Sequence, residues 1–307
     1  MTRPRTIRVR AYAKVNLSLR VGALQADGFH PLHTVFQSLA LHDTLVITTR
    51  PGPFALTCSD PGLPVDNRNL VTRAAGELWR ALGRAGEPRG VAVHLVKHIP
   101  VQSGLGGGSS DAASALSVLA RLWQPRGARA DLAAIAARLG SDAPYFLLGG
   151  TALGLSRGEV LYPLEDLPAF FAVLALPAFG VATADAYRWF DEDRLTPAGP
   201  RRRSAGVISA WHGLPLALVN DLESPVARRH REIGAARRAL EAAGAQAASM
   251  TGSGSAVFGL FANEAGARRA ARAAAEAGFV ALLTRTVDRR TCQRVHFSFA
   301  SSSPRRA

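Results

Sequence analysis

The sequence predicts an α+β fold divided between two units, and three observations carry that expectation. Near the N-terminus, Ile7 to Val21 alternates apolar and polar residues with the period of a strand. Between Val91 and Trp123, a strand pattern, a glycine-rich stretch and a helix pattern follow one another. Beyond Gly150, short strand patterns are interspersed with two long helical ones.

Taken in order, the first strand places Lys14 and Asn16 on one side, two residues apart. Leu45 to Thr49 and Val91 to Val96 are further strand patterns. Between them, Asn69 to Leu82 carries apolar residues at helical spacing and stops near Gly83. Ser109 or Ser110 is placed to cap a helix that runs to Trp123 and is stopped by Pro125. Asp131 is placed to cap another that reaches Leu139 and ends at Gly140. Strands are expected at Thr151 to Leu155 and Phe170 to Leu176, then a Pro/Gly-containing linker over residues 195–206. Helices at Ser224 to Ala243 and Glu264 to Ala277 follow, with strands at Ala256 to Phe261 and Ala281 to Thr286. The division is residues 1–158, residues 159–300, and a disordered tail over 301–307.

Apolar residues at 48% and charged residues at 20% exclude a disordered or fibrous chain. The longest apolar stretch, Ala169 to Ala182, is broken by Pro177 and is shorter than the roughly 20 residues of a membrane span. The first residues lack the apolar block of a secretory leader, so a soluble, cytoplasmic protein without a membrane partner is expected. Cys58 and Cys292 have no metal-ligand spacing and are expected to be reduced packing residues. The formal charge of +14 would suit nucleic acid, yet the basic residues are scattered, and the dense run Arg201 to Arg203 sits in the linker. No nucleic-acid partner is expected. Of 37 basic residues only Lys14 and Lys97 are lysines, which marks two positions where a compact ammonium differs from a guanidinium fork.

The most informative stretch is Pro100-Val101-Gln102-Ser103-Gly104-Leu105-Gly106-Gly107-Gly108-Ser109-Ser110. Its glycines remove side chains where backbone amides must approach a ligand, and the following helix points its free amides and positive dipole end at an anion. Phosphate is the natural occupant. The stretch has neither the Gly-Lys-Ser/Thr ending of a Walker loop nor the dinucleotide fingerprint. Ser109 and Ser110 are candidates for phosphate or magnesium contacts, or for helix caps alone.

This stretch resembles the central motif of the GHMP kinases: Pro, three residues, Gly-Leu, then a small residue. The flanking motifs of that family have counterparts in Ala13-Lys14-Val15-Asn16-Leu17 and in Met250 to Phe258. The resemblance implies an N-terminal ATP-binding domain like domain 2 of ribosomal protein S5, a ferredoxin-like C-terminal domain, and substrate between them. It also implies ATP with Mg2+ and a small-molecule acceptor.

Ala26 to His30 and Leu139 to Pro144 are similar to a branch of the family whose acceptor is a methylerythritol carried on cytidine diphosphate. In that branch Asp142 matches the catalytic aspartate and Lys14 its partner. An aspartate aimed at a hydroxyl can take its proton as the new P–O bond forms, and a neighbouring ammonium offsets charge in the transferring group. Read from the residues alone, Asp142 is equally a helix cap and Lys14 a surface ammonium.

The resemblance further implies that Asn16, Thr183, Thr251, Gly252 and Ser253 contact substrate, and that Phe29, His30 and Tyr187 receive the cytosine. Asn69 and Lys97 match adenine contacts. Lys97 is otherwise an exposed strand end. No acidic residue stands out as a magnesium ligand, so the ion is expected on ATP oxygens and water. The alternatives are a GHMP kinase with a homoserine- or phosphomevalonate-type acceptor, and a non-catalytic RNA-binding protein. A monomer or homodimer is compatible with the sequence.

Overall fold

A computed structural model describes residues 5–124, 130–195, 218–294 and 296–298. Pro125, the linker beyond residue 195 with Arg201 to Arg203, and the tail at 301–307 lie outside the described residues.

The chain begins with two long strands, β1 (Thr6–Val21) and β2 (Leu32–Pro53), followed by β3 (Ala55–Cys58). Helix α1 (Leu70–Ala81) comes next, and β4 (Arg89–Val96) leads through the glycine-rich loop into α2 (Gly107–Trp123). Two short helices, α3 (Leu132–Leu139) and α4 (Ala143–Leu148), precede the hairpin β5 (Thr151–Leu155) and β6 (Val160–Pro163). The second half runs β7 (Phe171–Leu176), α5 (Thr183–Leu195), β8 (Val219–Asn220), α6 (Glu223–Arg229) and α7 (Arg231–Ala242). It continues with β9 (Ala247–Met250), β10 (Val257–Phe261), α8 (Glu264–Glu276), β11 (Val280–Arg285), α9 (Arg289–Cys292) and β12 (His296–Ser298).

These strands form two sheets. The first has the order β12-β1-β2-β4-β3, with β5 also on β2, β6 on β5, and β8 on β1. Strands β8 and β12 therefore return from the second half of the chain to flank β1. The second sheet is β11-β7-β10-β9, antiparallel throughout. Its chain order is β-α-β-β-α-β with the last strand beside the first, the ferredoxin-like arrangement that was expected.

The helices form where local chemistry directs them. Asn69 caps α1 by accepting from the Val71 N–H, and Val71, Ala74, Ala75 and Leu78 form one buried stripe. Asp131 caps α3 through the Ala134 N–H, as expected. Helix α2 departs from expectation. It starts at Gly107, and its cap is Gly106 in the left-handed region at φ 73°, so Ser109 and Ser110 lie inside the helix. The expected helix over Ser224 to Ala243 is broken at His230, which is extended at φ −133°, ψ 91°. The break lets the His230 ring stack on Phe179 at 4.4 Å.

Strand β1 determines where the site lies. Ile7, Val9 and Ala11 pack into the core built with α1, α2 and α3. Ala13, Val15 and Leu17 have the same parity, yet pack with Ala172, Leu174, Phe258 and Leu260 of the second sheet. Register shifts against β2 fall between Tyr12 and Ala13 and between Asn16 and Ser18. An extra residue in a ladder redirects the side chains that follow it. Lys14 and Asn16 sit between these two irregularities, and β1 is buried on both faces from Ala11 to Leu19. No open basic, aromatic sheet face exists along that stretch to receive RNA.

Candidate active site

The three glycine- and lysine-bearing motifs meet through their backbones. The Lys14 N–H donates to Leu105 O at 3.0 Å, and the Ala256 N–H to Ser103 O at 3.1 Å. Gly104, at φ 78°, comes so close to the last motif that a Cβ there would lie 2.3 Å from Thr251 O. At Gly106 a Cβ would strike the Phe146 ring at 2.6 Å. Both positions combine a left-handed backbone with no room, so glycine is required twice over.

Around this junction lies a cavity of about 710 Å³. Its wall includes Lys14, Asn16, Asn69, Lys97, every residue from Pro100 to Ser109, Asp142, Thr183, Tyr187, Gly252 and Ser253. Most of the site residues read from the sequence are thus brought together. Ser110, Thr251, Phe29 and His30 stand outside the wall. Ser110 is buried and donates to Tyr12 O at 2.7 Å.

Lys14 is 3% exposed. Its ammonium donates to Asn16 Oδ1 at 2.7 Å and lies 3.2 Å from Asp142 Oδ2. Asn16 is held on every side. Its N–H donates to Thr251 Oγ1 at 3.0 Å and its Nδ2 to Thr34 Oγ1 at 2.7 Å. Asp142 occupies the cap position of α4 but makes no capping bond, and its side chain is 34% exposed. The carboxylate is free of a structural task and open to the cavity. The surface-ammonium reading of Lys14 and the helix-cap reading of Asp142 both fail on these contacts.

Lys97 is not an exposed strand end either. Its ammonium contacts Asp43 Oδ2 and lies 2.8 Å from Asp111 Oδ2, with all three side chains largely buried. Asp43 Oδ1 also accepts from the Ile99 N–H at 2.8 Å and the His98 N–H at 2.5 Å. Burial pulls Lys97 down, but Asp111 first and then Asp43 more than reverse this, leaving its pKa raised. Burial pushes the Asp111 carboxyl up to about 8, with Lys97 opposing the rise and Asp43 adding to it. Sequence reading missed both carboxylates. Asp43 lies 54 residues from its partner, and Asp111 directly follows the Ser pair in what looked like ordinary helix.

Asn69 reaches the cavity, yet its amide group is occupied by the Val71 N–H and by Pro64 O. On the opposite side, Thr183 Oγ1 and Ser253 Oγ are 3.1 Å apart. Burial pushes the Tyr187 hydroxyl up, and the charge of Asp142 adds to it. The Tyr187 ring stacks on His30 at 5.5 Å. Both His30 nitrogens are engaged, Nδ1 with Gly22 O at 3.0 Å and Nε2 with Asp191 at 3.2 Å. Phe29 is 48% exposed, and the Arg157 guanidinium lies 3.5 Å from its ring centroid.

Among the described residues there is no group of three or more His, Cys, Asp and Glu that could hold a metal ion. No described helix is long and apolar enough to cross a membrane.

Comparison with known proteins agrees with this architecture. Residues 69–150 match the GHMP kinases N terminal domain, and residues 210–279 match the GHMP kinases C terminal domain. A 4-diphosphocytidyl-2-C-methyl-D-erythritol kinase of Anaeromyxobacter dehalogenans (strain 2CP-C) is 44% identical, with 91% of this chain and 90% of the relative aligned. One from Moorella thermoacetica is 40% identical over 90% of this chain and 98% of the relative. A crystal structure of a 4-(cytidine 5'-diphospho)-2C-methyl-D-erythritol kinase superposes with a TM-score of 0.75 at 39% identity, covering 91% of this chain and 98% of that one. Homoserine kinase from Cytophaga hutchinsonii shares the fold, with a TM-score of 0.68 at 19% identity over 94% and 96% of the two chains. With its fold, motifs and near full-length relatives in agreement, the chain belongs to the 4-diphosphocytidyl-2-C-methyl-D-erythritol kinase family of the GHMP kinases.

Proposed function

We propose that the protein transfers the γ-phosphoryl group of ATP to the 2-hydroxyl of 4-diphosphocytidyl-2-C-methyl-D-erythritol, a step of non-mevalonate isoprenoid biosynthesis. The observation that carries this reading is the Lys14–Asp142 pair, 3.2 Å apart, on the wall of a cavity shared with the glycine-rich loop and Tyr187.

The amides at the start of α2 receive the phosphates, and its dipole favours their charge. Asp142 accepts the proton of the acceptor hydroxyl while that oxygen bonds to the γ-phosphorus. The bond from the γ-phosphorus to the β,γ-bridging oxygen breaks, and ADP leaves. Lys14 offsets negative charge as the group moves, and Asn16 fixes the ammonium in place. Tyr187 offers a ring face to the cytosine, with His30 stacked behind it and Phe29 on the neighbouring loop. Thr183, Gly252 and Ser253 border the acceptor side, and buried Thr251 acts only behind it, by holding Asn16.

Magnesium suits this site as an ion held by phosphate oxygens and water, with Ser109 the nearby hydroxyl and no acidic cluster required. When bound it neutralises phosphate charge.

The direct test supplies Mg-ATP and the cytidine diphosphate conjugate, then reads phosphorus NMR for a new phosphomonoester. A signal is expected with wild-type protein and not with Asp142→Asn. Turnover of homoserine or phosphomevalonate in its place would overturn the acceptor assignment.

A further inference from the structure

Phe36 stands in a mostly apolar run of β2, where a phenylalanine is ordinarily a core residue. It is 1% exposed, yet its ring forms part of the cavity wall. Phe36 is the ladder partner of Asn16, and directly opposed residues of an antiparallel pair share a sheet face. Lys14 lies two residues before Asn16, so the three side chains stand on one face of β1 and β2. The Lys14 ammonium lies over the Phe36 ring, 5.6 Å from its centroid. That is within the roughly 6 Å reach of the attraction between a cation and a π-face.

The same ring meets the helix that carries Asp142. Tyr145 of α4 stacks on it with centroids 4.7 Å apart and planes inclined by 27°. Asp142 occupies the cap position of that helix. The Tyr145 hydroxyl donates to Gly150 O at 2.7 Å, which fixes its ring in turn. Glycine makes room for the packing, since a Cβ at Gly154 of β5 would lie 2.7 Å from Phe36 Cε2. One buried ring therefore contacts the ammonium of one member of the pair and the helix of the other.

The ammonium's own requirements explain why a ring is useful there. A lysine ammonium has three N–H donors. Asn16 Oδ1 takes one at 2.7 Å, and Asp142 Oδ2 lies 3.2 Å away. Water has little access to a lysine that is 3% exposed. A further carboxylate would hold the third donor and cancel the charge. An aromatic face instead attracts the cation through its quadrupole and leaves the charge in place for the moving phosphoryl group. An aliphatic side chain would fill the space without that attraction.

We infer that Phe36 is a positioning residue for phosphoryl transfer: its ring face holds the Lys14 ammonium beside Asp142, while its stack on Tyr145 keeps α4 in place against that ammonium. This rests on the proposed roles of Lys14 and Asp142. The ring acts through Lys14 and needs no contact with substrate.

The variable to test is the electron density of the ring, not its size. Replacing Phe36 by para-methylphenylalanine or by para-cyanophenylalanine adds a small group at Cζ, beside Gly158, which has no side chain. The methyl group enriches the π-face and the cyano group depletes it. For wild type and both variants, kcat and the KM values for ATP and the cytidine diphosphate conjugate are measured, together with the denaturant midpoint. The cyano variant should show a kcat roughly threefold to tenfold below that of the methyl variant, the range for weakening a desolvated cation–π contact, with both KM values unchanged. Equal kcat in the two variants, whether high or low, reduces Phe36 to packing and overturns the inference. So does a kcat difference that only follows a difference in denaturant midpoint. A rise in the acceptor's KM at equal kcat makes the ring a substrate contact and overturns it as well. These failures leave the kinase reading intact, because wild-type turnover is read in the same assay. Absence of wild-type turnover overturns that reading and this inference together.

Discussion

Lys14 and Lys97 are the chain's two lysines, both line one cavity, and both sit against aspartate, yet the structure treats them in opposite ways. Lys14 faces one carboxylate, Asp142, whose side chain is 34% exposed and makes no capping bond. Lys97 faces two carboxylates that are almost wholly buried. The first arrangement leaves a charged oxygen open to the cavity, and the second ties β2, the end of β4 and α2 together. A shared residue type therefore does not define a role. The number of donors on each carboxylate, and whether one face stays open, separates the pair proposed to carry the reaction from the anchoring cluster.

The sharpest test of this contrast removes a carboxylate at the reactive end. Asp142→Asn should lower kcat by roughly 10²–10⁴-fold, the usual loss for a positioned general base. ATP affinity should change little, because the glycine-rich loop does not depend on Asp142. Steady-state rates together with nucleotide titration check both halves, and near wild-type turnover would remove Asp142 from the mechanism.

The matching test at the anchoring end should appear as lost stability. Lys97→Met leaves Asp43 and Asp111 buried without their ammonium, and breaking a buried ion pair in this way costs about 3–5 kcal/mol. Denaturant unfolding would measure it. A loss below about 1 kcal/mol, the range of surface pairs, would erase the distinction between the two lysines.

Lys14→Arg asks whether charge alone suffices at the reactive end. A guanidinium is broader than an ammonium, and Lys14 is enclosed by Asn16, Phe36 and the glycine-rich loop. Activity should fall about 100-fold although the charge is retained, a loss typical of one displaced electrostatic contact. Rates close to wild type would show that charge alone, without ammonium geometry, serves the reaction.

How much of this was legible beforehand follows from where each constraint acts. Gly104 and Gly106 could be read because close backbone approach forbids every other residue, so the sequence records the constraint directly. Lys14 stood out because an arginine-rich chain kept a lysine there, on the same strand side as Asn16. In the second unit, local apolar periodicity marked β7, β10, α8 and β11, whereas the four-residue β9 went unread and the ferredoxin-like order came from the family resemblance. The handover of β1 from one core to the other falls at the register shift after Tyr12, which left no local mark in the sequence. The break at His230 was hidden because the flanking residues are good helix formers, and the ring's contact with Phe179 is long-range. Asp43 and Asp111 were invisible as a pair for the same reason: only the fold brings β2, the end of β4 and α2 to one ammonium.

The smallest expected effect concerns Tyr187, which lies between the reactive pair and the Phe29–His30 loop. Its ring faces the cavity and stacks on His30 at 5.5 Å, whereas Phe29 is half exposed beneath Arg157. If Tyr187 holds the base, Tyr187→Ala should cost about 1–3 kcal/mol of stacking, raising KM for the cytidine conjugate roughly tenfold or more with kcat nearly unchanged. Tyr187→Phe keeps the ring and should stay close to wild type. An unchanged KM in the alanine variant, with a large rise in Phe29→Ala, would move base recognition out of the cavity wall and onto the loop. The distinction matters because Tyr187 also feels the charge of Asp142. A base held by that ring is held within reach of the reacting carboxylate, so recognition and positioning would be one event.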